Sequence, residues 1–214
     1  MVLETKAHIE EDLKEIWQEE SFTHLLNERN FLYPETIDTN VLLFIGINPG
    51  YSDDTAHVIS YPLEKTDNKI PYFKKLNEVA TLCDTDWTHL DLLFLRETDQ
   101  SYIHKILRQQ NGVPFISKQL ELSDKLIRLA GPKVIVVSNV LAGIFLGKEK
   151  DKAKNQDVWL DYEFTFDDEI GTYRWNGIPV FFSSMLSGQR ALDKGSRERL
   201  IWQIRRAIQI DSSK

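Results

Sequence analysis

A chain of 214 residues, 42% hydrophobic and 11% aromatic, is long enough for one well-filled core and short for two. Its single cysteine, Cys83, excludes an internal disulfide and a Cys-rich zinc or iron–sulfur site, and suits a reducing compartment. The net charge of −7 argues against a uniformly basic nucleic-acid binder, but residues 1–40 carry ten acids against three bases and the rest of the chain balances.

No apolar run reaches the ~18 residues of a membrane helix, and the start Met1 to Lys6 lacks the basic and apolar regions of a signal peptide, so a soluble cytoplasmic protein is expected. Residues 7–20 read as an amphipathic helix with Ile9, Leu13, Ile16 and Trp17 on one face. With a second short helix over Phe22 to Leu26 they make residues 1–38 an acidic helical cover packed on a sheet. Tyr33-Pro34 ends the helical character.

Val41 to Ile45 is then a run of five apolar residues after polar Asp38-Thr39-Asn40, the pattern of a strand buried on both faces. It stops at Gly46-Ile47-Asn48-Pro49-Gly50, where glycines permit close backbone approach and Asn48 brings one polar side chain to the strand's carboxyl end. Ser52 to Asn68 is a long polar loop containing Tyr61-Pro62, and a helix with Phe73, Leu76 and Ala80 at helical spacing follows from about Ile70.

Thr88 to Leu95 reads as a second buried strand ending in Arg96-Glu97-Thr98-Asp99. Tyr102 to Leu107 is a short helix broken by Asn111-Gly112 and Pro114. Residues 117–130, capped by Ser117 and stopped by Gly131-Pro132, are a longer one. Val134 to Val137 is the third strand, and Ser138 or Asn139 caps a helix to Gly147. In the irregular stretch 148–176, Trp159 to Phe166 alternates like a half-exposed strand with Thr172 to Trp175 as its hairpin partner. Ile178 to Phe182 is the last main strand, followed by Ser183 to Arg190 and a final helix with Leu200, Ile201, Ile204, Ala207 and Ile208 on one face.

This alternation predicts one α/β domain over 1–214, a four-stranded, mainly parallel sheet with helices on both faces in three α/β/α layers. Each strand ends in a polar or glycine-bearing cluster, and in a parallel sheet those ends share one edge, where ligands of such sheets bind. Phosphate-loop, dinucleotide and α/β-hydrolase signatures are absent, and the five histidines have no metal-ligand spacing. His89 reads as a satisfied structural residue, and His57 as a loop residue near Tyr61.

The strand followed by Gly46-Ile47-Asn48-Pro49-Gly50 resembles the first motif of the uracil-DNA glycosylase superfamily, closest to its mismatch-specific and thymine/uracil branches. The resemblance runs over roughly residues 40–205. It implies a monofunctional DNA glycosylase, a monomer without metal, cofactor or membrane partner, acting on DNA that presents a flipped or single-stranded base. Asn48 matches the water-positioning residue, and Gly46 and Ile47 border the base. Tyr61, thirteen residues after Asn48, matches an aromatic that stacks on the extruded base. Asp91-Leu92-Leu93-Phe94-Leu95 stands where relatives read Asn-Leu-x-x-Leu, with Asp91 at the base edge.

Ser183 and Ser184 fall where active uracil enzymes commonly carry His-Pro-Ser-Pro. Ser187, Gly188, Gln189 and Arg190 match the loop that meets the DNA backbone. Two departures matter. An ionised Asp91 only accepts hydrogen bonds, so it must be protonated to donate to uracil O4, or else the base carries an amino group there. The last motif has no histidine, although some thymine-removing relatives also lack it. A capping role or a buried salt bridge with Arg96 is the structural alternative for Asp91. The functional alternatives are a non-catalytic nucleobase- or nucleic-acid-binding protein of the same fold, and an enzyme acting on free nucleosides.

Overall fold

The computed structural model describes residues 1–19, 26, 29–52, 57–63, 65, 70–148, 159–188 and 191–212. In chain order the first elements are β1 (Val2–Glu4), α1 (Lys6–Ile16), β2 (Tyr33–Pro34), β3 (Thr36–Asp38), β4 (Leu42–Gly46) and β5 (Ser60–Tyr61). Then come α2 (Pro71–Leu82), β6 (Trp87–Asp91), α3 (Ser101–Leu107), α4 (Gly112–Ala130), β7 (Val134–Val137) and α5 (Val140–Leu146). The chain closes with β8 (Thr165–Asp167), β9 (Thr172–Trp175), β10 (Ile178–Phe182) and α6 (Lys194–Ser212). Of the second short helix expected over Phe22 to Leu26, all but Leu26 lies outside the described residues.

Every residue of β4 is buried, because the strand is hydrogen-bonded to a parallel neighbour on each side, β6 and β7, and covered on both faces. The sheet runs β6-β4-β7-β10-β9-β8. The expected four strands are its parallel part, and β9 and β8 extend it antiparallel to six. The extension follows from Asn176 and Gly177, both at positive φ (50° and 83°), which close a two-residue turn between β9 and β10. The edge strand is shorter than the alternation over Trp159 to Phe166 suggests. Leu160 and Tyr162 donate their N–H groups to Phe145 and Leu146 at the end of α5, which holds that segment off the sheet.

Alternation along the strands feeds two apolar clusters. Leu43, Ile45, Ile135, Val137 and Val180 join α1, α3, α4 and α5 on one side, while Leu42, Phe44, Val134, Val136 and Phe181 join α2 and α6 on the other. The molecule is thus mixed α/β, with helices against both faces of a mostly parallel sheet. α1 lies against α4, and its Ile9, Leu13 and Ile16 belong to the same apolar cluster as Leu43 and Ile45 of the sheet. α4 begins at Gly112, not at Ser117, since Pro114 sits in the first turn, where a missing N–H costs nothing. The crossover β4-α2-β6 moves one way and the crossover β6-α4-β7 returns past β4, so the strand order reverses between β4 and β7. A crevice opens at the carboxyl ends of the strands flanking such a reversal.

β6 ends at Asp91 rather than at Leu95. Its register with β4 finishes at the pair Gly46 and Asp91, although Leu92 and Leu93 still donate to Gly46 O and Ile47 O. Past those two bonds the segment is held by other contacts: Phe94 and Leu95 donate to the Gln119 side-chain oxygen on α4, Leu32 donates to Phe94 O, and Phe31 bridges Leu95. Asp91 is therefore the polar residue at the strand's end, directly beside the end of β4.

Candidate functional site

At those strand ends lies a cavity of about 570 Å³ that takes residues from all four parallel strands: Gly46 to Gly50 after β4, His89, Asp91 and Arg96 to Thr98 along and after β6, Ser138 and Asn139 after β7, and Met185 after β10. That volume falls in the range of small-ligand sites, roughly 300–1,000 Å³. Asn139 also caps α5, its carbonyl accepting from Leu141 and Ala142.

Gly46 is glycine because of what stands over it. A Cβ built there would lie 2.1 Å from Asp91 Oδ1 and 3.3 Å from His89 Nε2. The missing side chain lets the Asp91 carboxyl approach the end of β4. Two residues on, the Asn48 amide nitrogen donates to Glu97 O and to Pro49 O, and the Glu97 N–H returns a 2.9 Å bond to Pro49 O. With its nitrogen held by the backbone, the Asn48 side chain keeps a carbonyl oxygen that no described group donates to. The backbone N–H groups of Ile47, Asn48 and Gly50 likewise have no acceptor among the described residues.

Tyr61 is brought to the cavity by a two-stranded parallel pairing in which β2 holds β5, Pro34 opposite Tyr61. Its ring stacks on Phe73 of α2 with centroids 5.7 Å apart and planes at 22°, and its hydroxyl lies 3.2 Å from His89 Nδ1. Tyr72 meets the other nitrogen, its hydroxyl 3.2 Å from Nε2. A neutral imidazole has one donor and one acceptor, so one tyrosine donates to His89 while the other accepts from it.

His89 Nε2 is 3.7 Å from Asp91 Oδ1, close enough for an ion pair, but burial acts against charge on both. It pushes His89 down to about 3 and Asp91 up to about 7. The contact therefore joins a neutral imidazole to a carboxyl that is half protonated near neutrality. Burial also raises both tyrosines, with Asp91 as a second cause, so each keeps its proton.

The other polar walls are internally paired. Arg96, 2% exposed, donates to Val58 O at 3.1 Å, and Glu97 meets Arg29 at 3.2 Å. Asp91 makes no ion pair with Arg96.

Of the residues singled out from the sequence, Gly46, Ile47, Asn48, Tyr61 and Asp91 come together around this cavity. Ser183 and Ser184 do not line it. Ser183 still donates its N–H to Val137 O of β7 and turns its hydroxyl onto Ser184 O, Ser184 is exposed, and Met185 is the residue of that loop that reaches the cavity. Ser187 is half-buried and Gly188 exposed at φ 84°, neither of them lining the cavity. Gln189 and Arg190 lie outside the described residues. His57 sits exposed in a turn, away from the lining.

His89 and Tyr72 are cavity residues that sequence reasoning does not pick out. The signal for His89 is its place two before Asp91, which in a strand puts both side chains on the same face. Among the described residues no group of three His, Cys, Asp or Glu side chains is arranged to hold a metal ion, and no helix is long and apolar enough to cross a membrane.

No protein-family model matches the chain, and no characterised protein matches it.

Proposed function

We propose that this protein is a monofunctional DNA glycosylase of the uracil-DNA glycosylase kind, hydrolysing the N-glycosidic bond of uracil or another damaged or mismatched base without a cofactor. The observation that carries the reading is Asn48: its amide nitrogen is tied to Glu97 O at the end of the central strand, and its carbonyl is left to the cavity. A carbonyl so fixed accepts a hydrogen bond from a water and so turns the water's own lone pair toward the sugar carbon. An amide is too weak a base to deprotonate that water, so turnover is slow.

Glycosidic cleavage builds positive charge on the sugar and negative charge on the departing base. The base must first leave its stack for a pocket with an aromatic wall and edge hydrogen bonds, roles that Tyr61 and Asp91 suit. A protonated Asp91 donates to a base carbonyl and accepts from the neighbouring ring N–H, as an amide would. Burial, which raises its pKa to about 7, favours that protonated form and so supports an acid at this position. The free N–H groups of Ile47, Asn48 and Gly50 are further donors for the charge that develops on the base.

A second reading, a protein that binds a nucleobase in this cavity without cleaving it, is favoured by one observation. Among the described residues the last loop brings Met185 to the cavity and neither an imidazole nor any other charged donor to the leaving base. The test is base release from single- and double-stranded oligonucleotides carrying uracil, hypoxanthine, xanthine or mismatched thymine. Release that disappears in Asn48→Ala supports the glycosylase; binding without release from any substrate supports the second reading.

A further inference from the structure

The Asp91 side chain, 13% exposed, reaches the cavity, makes no hydrogen bond among the described residues and lies over the bare Cα of Gly46. The titratable groups facing it are His89 on its own strand, Tyr61 of β5 and Tyr72 of α2, all neutral around pH 7. The charged residues of the same cavity, Arg96 and Glu97, are engaged with Val58 O and Arg29. Among the described residues nothing thus satisfies this carboxyl in either protonation state, and a bound molecule can.

The two states present different edges. A neutral carboxyl sets one donor beside one acceptor, the complement of a lactam edge in which a ring N–H adjoins a carbonyl, as in uracil or hypoxanthine. An ionised carboxylate sets two acceptors side by side, the complement of an edge with two adjacent N–H donors, as in guanine. Resting on the base-binding reading above, we propose that Asp91 makes the cavity a protonation-gated selector of base edges, taking lactam edges when neutral and double-donor edges when ionised. Because the carboxyl titrates at about 7, its neutral fraction falls about tenfold between pH 6 and pH 8, and binding that needs the neutral form falls with it.

The experiment measures binding of free uracil and free isocytosine to the full chain by calorimetry between pH 6 and pH 8. Isocytosine is the same size as uracil but carries both kinds of edge. The expected result is about a tenfold weakening of uracil with rising pH while isocytosine holds, so that their ratio shifts by the same factor. In Asp91→Asn, whose amide is a fixed donor beside an acceptor, uracil binding becomes independent of pH. Flat uracil binding in the wild type, equal pH dependence in Asp91→Asn, or binding of neither base overturns the proposal. The wild-type profile decides the matter even if the variant fails to fold. Uracil release from DNA is scored in parallel. pH-dependent uracil binding without release overturns the glycosylase reading and leaves edge selection standing; release with pH-independent binding overturns edge selection alone.

Discussion

Asp91→Asn exposes what the site costs the fold. The folded pKa, about 7, lies above the ordinary carboxylate value of 3.8, because ionising Asp91 takes a charge into a buried place where, among the described residues, no cation pairs with it. The proton it keeps when folded therefore contributes stability that is fully present below pH 3.8 and is lost as pH rises through 7. Each tenfold difference in proton affinity between the folded and unfolded chain is worth about 1.4 kcal/mol, so the loss at pH 8 is about 4 kcal/mol, and at pH 5 about 2 kcal/mol. Asn has nearly the same shape and no ionisation, so the variant's stability minus that of the wild type should grow by about 2–3 kcal/mol from pH 5 to pH 8 and level off above. Urea unfolding of both proteins across that range measures it, and taking the difference cancels every group the two share. A difference that stays constant, or that shrinks as pH rises, would refute the argument that Asp91 is buried without a counter-charge.

His89 makes the opposite contribution. Its folded pKa, about 3, lies below its ordinary value of 6.5, so the wild type loses stability as pH falls from 6.5 toward 3, while His89→Gln loses less over that window; parallel unfolding curves check this. Gly46→Ala should cost about 1–3 kcal/mol, because its methyl would meet the Asp91 carboxyl, and most of that cost should vanish in an Asp91→Ala background. An equal cost in both backgrounds would place the clash elsewhere. Tyr61→Ala should weaken binding of a uracil-containing single strand by about 1–3 kcal/mol through lost stacking, and Tyr61→Phe should bind almost as wild type. Fluorescence anisotropy compares them, and equal losses in Ala and Phe would show that the hydroxyl bond to His89 matters more than the ring.

The parallel strands β4, β7 and β10 are legible because each is an apolar run closed by polar or glycine residues, and runs of that kind are buried on both faces. The end of β6 is not, since Leu92 to Leu95 are as apolar as a strand but are buried by Gln119 and the segment around Phe31, contacts that no local pattern encodes. The six-stranded width of the sheet depends on Asn176-Gly177, a short hairpin signal masked by the longer gap Asp167 to Gly171 just before it. At the site, Asn48 stands out as one polar residue at a strand end. His89 does not, because what gives it meaning is a pair of tyrosines 28 and 17 residues away in the chain. Ser183 and Ser184 sit at the right strand end, but a serine side chain is short, and here the backbone claims Ser183 while Met185 fills the space.

Single-turnover release of uracil from DNA, comparing wild type with Asn48→Ala, bears most directly on the function proposed for this cavity. Among the described residues the Asn48 side chain bonds only to Pro49 O and Glu97 O, so the variant should fold and hold an uncleavable uracil analogue nearly as well as the wild type. Losing the group that orients the water should slow release about a hundredfold or more. Release at an undiminished rate, or no release by the wild type from any base tested, would contradict the assignment of Asn48 as the residue that holds the attacking water.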